Sequence, residues 1–161
     1  MRITVKALGD GSSRVQAVRP GTLVFAEGPS GSMTAHRRRR SSVVLIAGGV
    51  GITPMRALFE TIEVPGPLTL LNRVSAPQEV VFHDELEAIA RRRGARIVWL
   101  IGPSSHPANQ ITPADLHRLV PELAQSDVYL CASPPLARAV RSSLQQLGLP
   151  ARQLHEEVFA F

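Results

Sequence analysis

Val43-Val44-Leu45-Ile46-Ala47-Gly48-Gly49-Val50-Gly51-Ile52-Thr53-Pro54 is the stretch on which the reading of this chain turns. Residues 43–47 are an unbroken apolar run of strand length, the pattern of a strand covered on both faces. The run passes directly into three glycines within four residues. Thr53 then suits the N-cap position and Pro54 the first helical position, so a helix is predicted to start there. Glycine backbone lets a ligand approach closely, while exposed N–H groups and the positive end of a helix dipole favour a diphosphate. Gly48, Gly49, Val50, Gly51, Ile52, Thr53 and Pro54 are therefore the candidate phosphate-binding turn; a merely tight structural turn is the alternative.

Outward from this stretch, the same grammar repeats toward the C-terminus. Strands are predicted at 43–47, 68–72, 96–101, 127–131 and near 153–159, with helices between them at 54–63, 80–93, 113–119 and 134–147. The expected fold class is α/β: a five-stranded parallel, Rossmann-like, doubly wound sheet. Such a sheet places the glycine turn at its C-terminal edge, where these folds bind ligands. Residues 1–31 read differently. Ile3-Thr4-Val5-Lys6-Ala7-Leu8 alternates, 9–13 turns, and Thr22 to Glu27 extends again before Gly28-Pro29-Ser30-Gly31, so a few antiparallel strands and no helix are expected there. The division between the regions is expected near Arg40, giving segments 1–40 and 41–161.

At the end of the second strand the chain reads Leu71-Asn72-Arg73-Val74-Ser75, without the acidic residue that binds a ribose 2′-hydroxyl. Arg73 and Ser75 suit a 2′-phosphate, which favours NADPH over NADH while leaving NADH open; the alternative is a polar loop. After the fourth strand, Cys131 precedes a helix start, where a small thiol can line a nicotinamide pocket with its pKa lowered by the dipole. A buried core cysteine is the plainer reading. No histidine is paired with a serine in a glycine elbow and no HExxH occurs, so hydrolytic and metal chemistry find no support.

Size and charge narrow the classes further. The 161 residues, 44% hydrophobic, suffice for one substantial core. A single cysteine excludes an internal disulfide. A chain with one cysteine suits a reducing cytoplasm, the expected location, with the cytosolic face of a longer membrane protein as a second possibility, and no apolar run in it approaches the roughly 20 residues that span a bilayer. The formal charge of +5 is concentrated in Arg37 to Arg40 and Arg91 to Arg93. With one Tyr and one Trp in the chain, a base-stacking surface has little to work with, and no nucleic-acid partner is expected. Arg91 to Arg93 suit the negative end of the helix that Gly94 stops.

The string from Val43 to Arg56 resembles the NAD(P)-binding turn of the ferredoxin-NADP reductase family, as found in ferric-reductase-like flavoproteins. Asn72 to Ser75 with Val81 to Leu86, Asp127 to Cys131, and the closing His155 to Phe161 resemble further segments of that family. The resemblance implies an NAD(P)-binding domain at 41–161 and a partial FAD-binding barrel remnant at 1–40. It implies an NAD(P)H-dependent flavin oxidoreductase that passes hydride from NADPH to FAD and electrons on to an acceptor: a protein, a haem domain or ferric iron. It further implies that Gly11 and Ser12 approach the flavin phosphates, that Cys131 and Glu157 lie at the reacting rings, and that Phe161 stacks on the flavin. The Arg-x-Tyr-Ser or Arg-x-Tyr-Thr flavin motif of the family is absent, so the remaining barrel strands would come from a longer product or a partner. A nucleotide-binding fragment or sensor without its own redox turnover is the second reading.

Overall fold

Strand β1 (Ser42–Gly48) is buried along its whole length, and its side chains divide between two cores. In the computed structural model, which describes residues 3–5, 7, 9–25, 27, 31 and 33–158, the elements run α1 (Asp10–Gln16), β1, α2 (Ile52–Thr61), β2 (Leu68–Val74), α3 (His83–Arg93), β3 (Arg96–Ile101), α4 (Pro113–Leu119), β4 (Ser126–Ala132), α5 (Pro134–Gln146) and β5 (Leu154–Val158). All five strands are parallel, in the order β3-β2-β1-β4-β5. Val43, Leu45 and Ala47 join Leu70, Tyr129 and Cys131 beneath Met55 and Phe59 of α2 and Leu86 and Ile89 of α3. Val44 and Ile46 join Leu71, Val128 and Leu130 beneath Leu116 of α4 and Val140 and Leu144 of α5. The period of two thus feeds both faces, each fully buried Leu or Ile contributing about 1.5–3 kcal/mol. The parallel, doubly covered sheet read from the sequence is the fold observed.

Strand order fixes where a ligand can sit. The chain moves outward from β1 to β2 to β3, then returns to lay β4 on the other side of β1. Loops leaving β1 and β4 therefore diverge to opposite faces, opening a crevice at their C-terminal ends.

Several helix ends are held by side chains. Thr112 Oγ1 accepts the Asp115 N–H at 3.2 Å, with Pro113 in the first turn of α4. Gly94, at φ +61, ends α3. Arg93 does more than face its own helix dipole: its guanidinium donates to the carbonyls of Phe59 and Ile62 at the end of α2.

The chain divides into two compact units, Met1–Gly31 and Ser32–Phe161, so the arginine run lies inside the second. The first unit departs from expectation. Among its described residues there is no strand, and α1 occupies the segment read as a turn. Ser12 makes the helix start: its Oγ accepts the Gly9 N–H at 3.1 Å and donates to the Gly9 carbonyl at 3.0 Å, with Asp10 in the first turn. Alternation alone does not make a strand where no second strand supplies the ladder. None of the unit's described residues is buried, and Leu23, Val24 and Phe25 are exposed.

Two helix starts also differ. Residues Gly49–Gly51 form a 3-10 turn that runs into α2, so the helix begins at Ile52 with Gly51 as its N-cap. Thr53 and Pro54 are second and third in the helix, where the missing proline N–H still costs no intrahelical bond. Helix α3 starts at His83, not Val80, because Pro77–Glu79 make a separate 3-10 turn and Phe82 is left-handed at φ +61. No described helix is long and apolar enough to cross a membrane.

Candidate nucleotide-binding edge

The glycine turn sits where β1 meets the crevice, and its three glycines do different things. Gly51 is buried, and a Cβ there would lie 1.9 Å from the Cys131 carbonyl oxygen. That glycine lets the turn rest directly on β4. A Cβ on Gly48 would meet Leu136 Cδ2 at 2.4 Å and the Ala132 Cβ at 3.1 Å. Gly49 is exposed, left-handed at φ +56, and has open space around it. The outward side of the turn is thus bare backbone followed by a helix start with no capping side chain, a donor set that fits an anionic diphosphate.

At the end of β2 the side chains are arranged otherwise than the sequence suggested. Arg73 is buried, and its guanidinium donates to the carbonyls of Val74 and Leu100. Burial lowers its pKa, partly opposed by the charge of Glu79. Ser75 is exposed and its N–H donates to Glu79 Oε2 at 3.0 Å. A carboxylate is therefore present at this strand end after all. It comes from four residues beyond Ser75, on the Pro77–Glu79 turn, and position counting along β2 could not find it. Asn72, in register with Ala47, is fully buried with neither Nδ2 nor Oδ1 hydrogen-bonded. A polar pair without partners at a strand end is the kind of feature that concentrates at binding sites.

Cys131 belongs to the core beneath α2 and is fully buried. Burial, with Glu157 nearby, pushes its thiol up to about 12, so the buried core cysteine, the plainer of the two sequence readings, is the one observed, rather than a thiol activated by the helix dipole. Glu157 is beside it in register on β5, and its Oε1 accepts the Met33 N–H at 3.2 Å. Cys131 and Glu157 are thus brought together at the crevice end of β4 and β5. Gly11 and Ser12 lie in α1, so the turn expected to approach flavin phosphates is a helix. Phe161 falls outside the described residues, as do Gly28, Pro29 and Ser30.

Arg39 and Arg40 lie at the edge of the sheet opposite the glycine turn. Arg39 and Arg40 donate their N–H groups to Asp127, near the start of β4, and a seven-residue strand separates that edge from the glycine turn by about 20 Å. Among the described residues no cluster of three or more His, Cys, Asp or Glu could hold a metal ion.

Residues 45–142, well over half of the chain, match the oxidoreductase NAD-binding domain family. This chain belongs to that family. Among curated relatives of this NAD-binding domain, the glycine betaine monooxygenase reductase subunit of Chromohalobacter salexigens is 26% identical over 98% of the chain and 46% of the relative. NADH-cytochrome b5 reductase 1 of Lodderomyces elongisporus is 29% identical over 95% of the chain and 56% of the relative. In fold, the NAD-binding domain resembles the cytochrome b5 reductase domain of Ulva prolifera nitrate reductase, with a TM-score of 0.71 and 20% identity over 92% of the chain and 66% of that domain. The chain spans about half the length of the curated relatives it matches.

Proposed function

We propose that this chain is the nicotinamide-nucleotide half of a flavin-linked reductase, binding NAD(P)H across the C-terminal edge of its sheet. The observation that carries the reading is the bare turn at Gly49 set against β4 through Gly51. The exposed Gly49 and the bare backbone beside it face the diphosphate, Gly48 and Gly51 seat the turn on β4 and α5, and Ile52, Thr53 and Pro54 begin the helix behind it. Glu157 borders the nicotinamide, with the buried Cys131 behind it in register on β4. A bound nicotinamide would supply a hydride and a flavin would accept it; this chain's part is orientation and exclusion of water, with no acid or base required of it. The onward electron acceptor is a protein or haem domain, as the names of the relatives indicate for those proteins.

Glu79 directs the nucleotide choice toward NADH. A carboxylate beside Ser75 accepts hydrogen bonds from a ribose diol and repels a 2′-phosphate, while the Arg73 guanidinium is engaged by two carbonyls. A second reading, a nucleotide-binding module without redox turnover of its own, is favoured by one observation: α1 stands where the flavin-phosphate turn is expected.

Calorimetric titration with NADH and NADPH, with and without FAD, tests both. NADH binding with FAD-dependent loss of reduced-nicotinamide absorbance supports the reductase, binding without oxidation supports the module, and binding of neither nucleotide refutes the site. In the same assay Glu79→Gln should shift the NADH-to-NADPH affinity ratio about tenfold toward NADPH, about 1.4 kcal/mol. An unchanged ratio there, with Arg73→Ala weakening NADPH alone, would restore the 2′-phosphate assignment.

A further inference from the structure

The segment from Met33 to Arg40 is tied down at five points along β4, β5 and the turn that precedes β5. Met33 N–H donates to Glu157 Oε1 at 3.2 Å. The Tyr129 hydroxyl donates to the Thr34 carbonyl at 3.1 Å. Arg39 and Arg40 N–H groups converge on Asp127 Oδ2 at 2.6 and 2.5 Å. The Arg40 guanidinium donates to Gln153 Oε1 at 3.1 Å, and Gln153 Nε2 is held by the Ser126 carbonyl at 2.8 Å. Asp127 is fully buried, its other oxygen lies 3.1 Å from His155 Nε2, and the His155 ring packs on Tyr129 at 4.6 Å between centroids. Met33 and Ala35 pack against the core cluster that contains Tyr129 and Cys131.

These contacts run the length of the sheet. Asp127 is near the start of β4, Tyr129 is mid-strand, and Glu157 pairs with Cys131 at the crevice end. A flexible linker would show none of this; here a buried carboxylate makes two charge-assisted bonds to backbone N–H groups, the strong kind. The last tie is made by the residue that borders the proposed nicotinamide position.

We propose that Met33–Arg40 is a positioning strap, anchored by Asp127 and Tyr129, that carries the chain from the ligand-binding edge to the start of β1 and couples to the nucleotide through Glu157. Asp127 and Tyr129 are then positioning residues, remote from the reacting rings. The coupling rests on the nucleotide reading given above; the anchoring does not. The strap also carries its own reporter, because Arg37, Arg38, Arg39 and Arg40 are trypsin sites.

Trypsin cleavage between residues 37 and 41, followed by mass spectrometry on the full chain, reads the strap directly. Asp127→Ala should speed cleavage about tenfold or more, Asp127→Asn, which keeps a carbonyl acceptor, should rescue part of that protection, and Tyr129→Phe should speed it about threefold. Tyr129→Phe removes one hydroxyl and retains the core ring, so it decides the matter if Asp127→Ala does not fold. NADH should slow cleavage of the wild type about threefold, and Glu157→Ala should abolish that effect. Equal cleavage in wild type and in folded variants overturns the strap. Protection by NADH that survives Glu157→Ala, or bound NADH that gives no protection, overturns the coupling. Failure of NADH to bind in a parallel titration overturns the nucleotide reading instead, and leaves the variant-to-variant contrast to decide the anchoring.

Discussion

At Gly51 a methyl group would have to displace backbone, since the obstructing atom is the Cys131 carbonyl. Gly51→Ala should therefore lower stability by about 1–3 kcal/mol through overpacking. At Gly49 there is room for a side chain but not the right conformation for one, so Gly49→Ala should cost only about 1–2 kcal/mol while weakening the nucleotide more, because the added methyl stands on the side proposed to face the ligand. Thermal melting and NADH titration of the two variants should separate these roles; equal binding losses per degree of melting would merge them. Cys131 has a pH signature. Its thiol is pushed up from 9.0 to about 12, so below pH 9 folded and unfolded states are both protonated and no dependence arises. Above pH 9 the unfolded thiol ionises first, and stability falls as pH rises, by about 1.4 kcal/mol per unit until the folded pKa is reached. Tyr129, pushed up to about 12 by burial, adds a loss of the same sign starting about one unit higher. Melting temperatures across the alkaline range should show the decline, and Cys131→Ala should make it shallower; an unaltered slope would remove the thiol from the account.

Among the elements, the ends of helices show what sequence reading reaches and what it misses. β1, β2 and β4 were legible because a parallel sheet covered on both faces favours largely apolar runs, and all three are buried throughout; edge strand β5, Leu154–Val158, has no such run. Gly94 was legible because such a stop acts within one turn, whereas the Thr112 cap of α4 was seen only in the structure. Arg93 was assigned to its own helix, yet it closes α2, about thirty residues away, and no local pattern encodes that. Arg93→Ala should cost about 1–2 kcal/mol, since two carbonyls lose a charged donor, whereas exposed Arg91→Ala should stay within about 0.5 kcal/mol. Urea melts of the pair check the contrast. Glu79 was missed for a similar reason: a 3-10 turn folds it back toward Ser75. Helix α1 was missed because a seven-residue polar helix has no apolar stripe to announce it.

For the molecule as a whole, the division into two units carries a direct expectation. None of the described residues of the first unit is buried, while both apolar cores belong to the second. A chain shortened to residues 32–161 should melt within about 2 °C of the full chain and bind NADH equally well, as calorimetry would report. A drop of ten degrees or more would mean that the first unit supports the fold. The strap has a consequence in time as well as in space. Arg40 and its anchor Asp127 are 87 residues apart, and Met33 and Glu157 are 124 apart. On a ribosome adding about 5–20 residues per second, the arginine-rich segment emerges on the order of ten seconds before its anchor exists. During that interval β1 also lacks β4 and presents an open apolar edge, so the nascent front half is the species most in need of a chaperone.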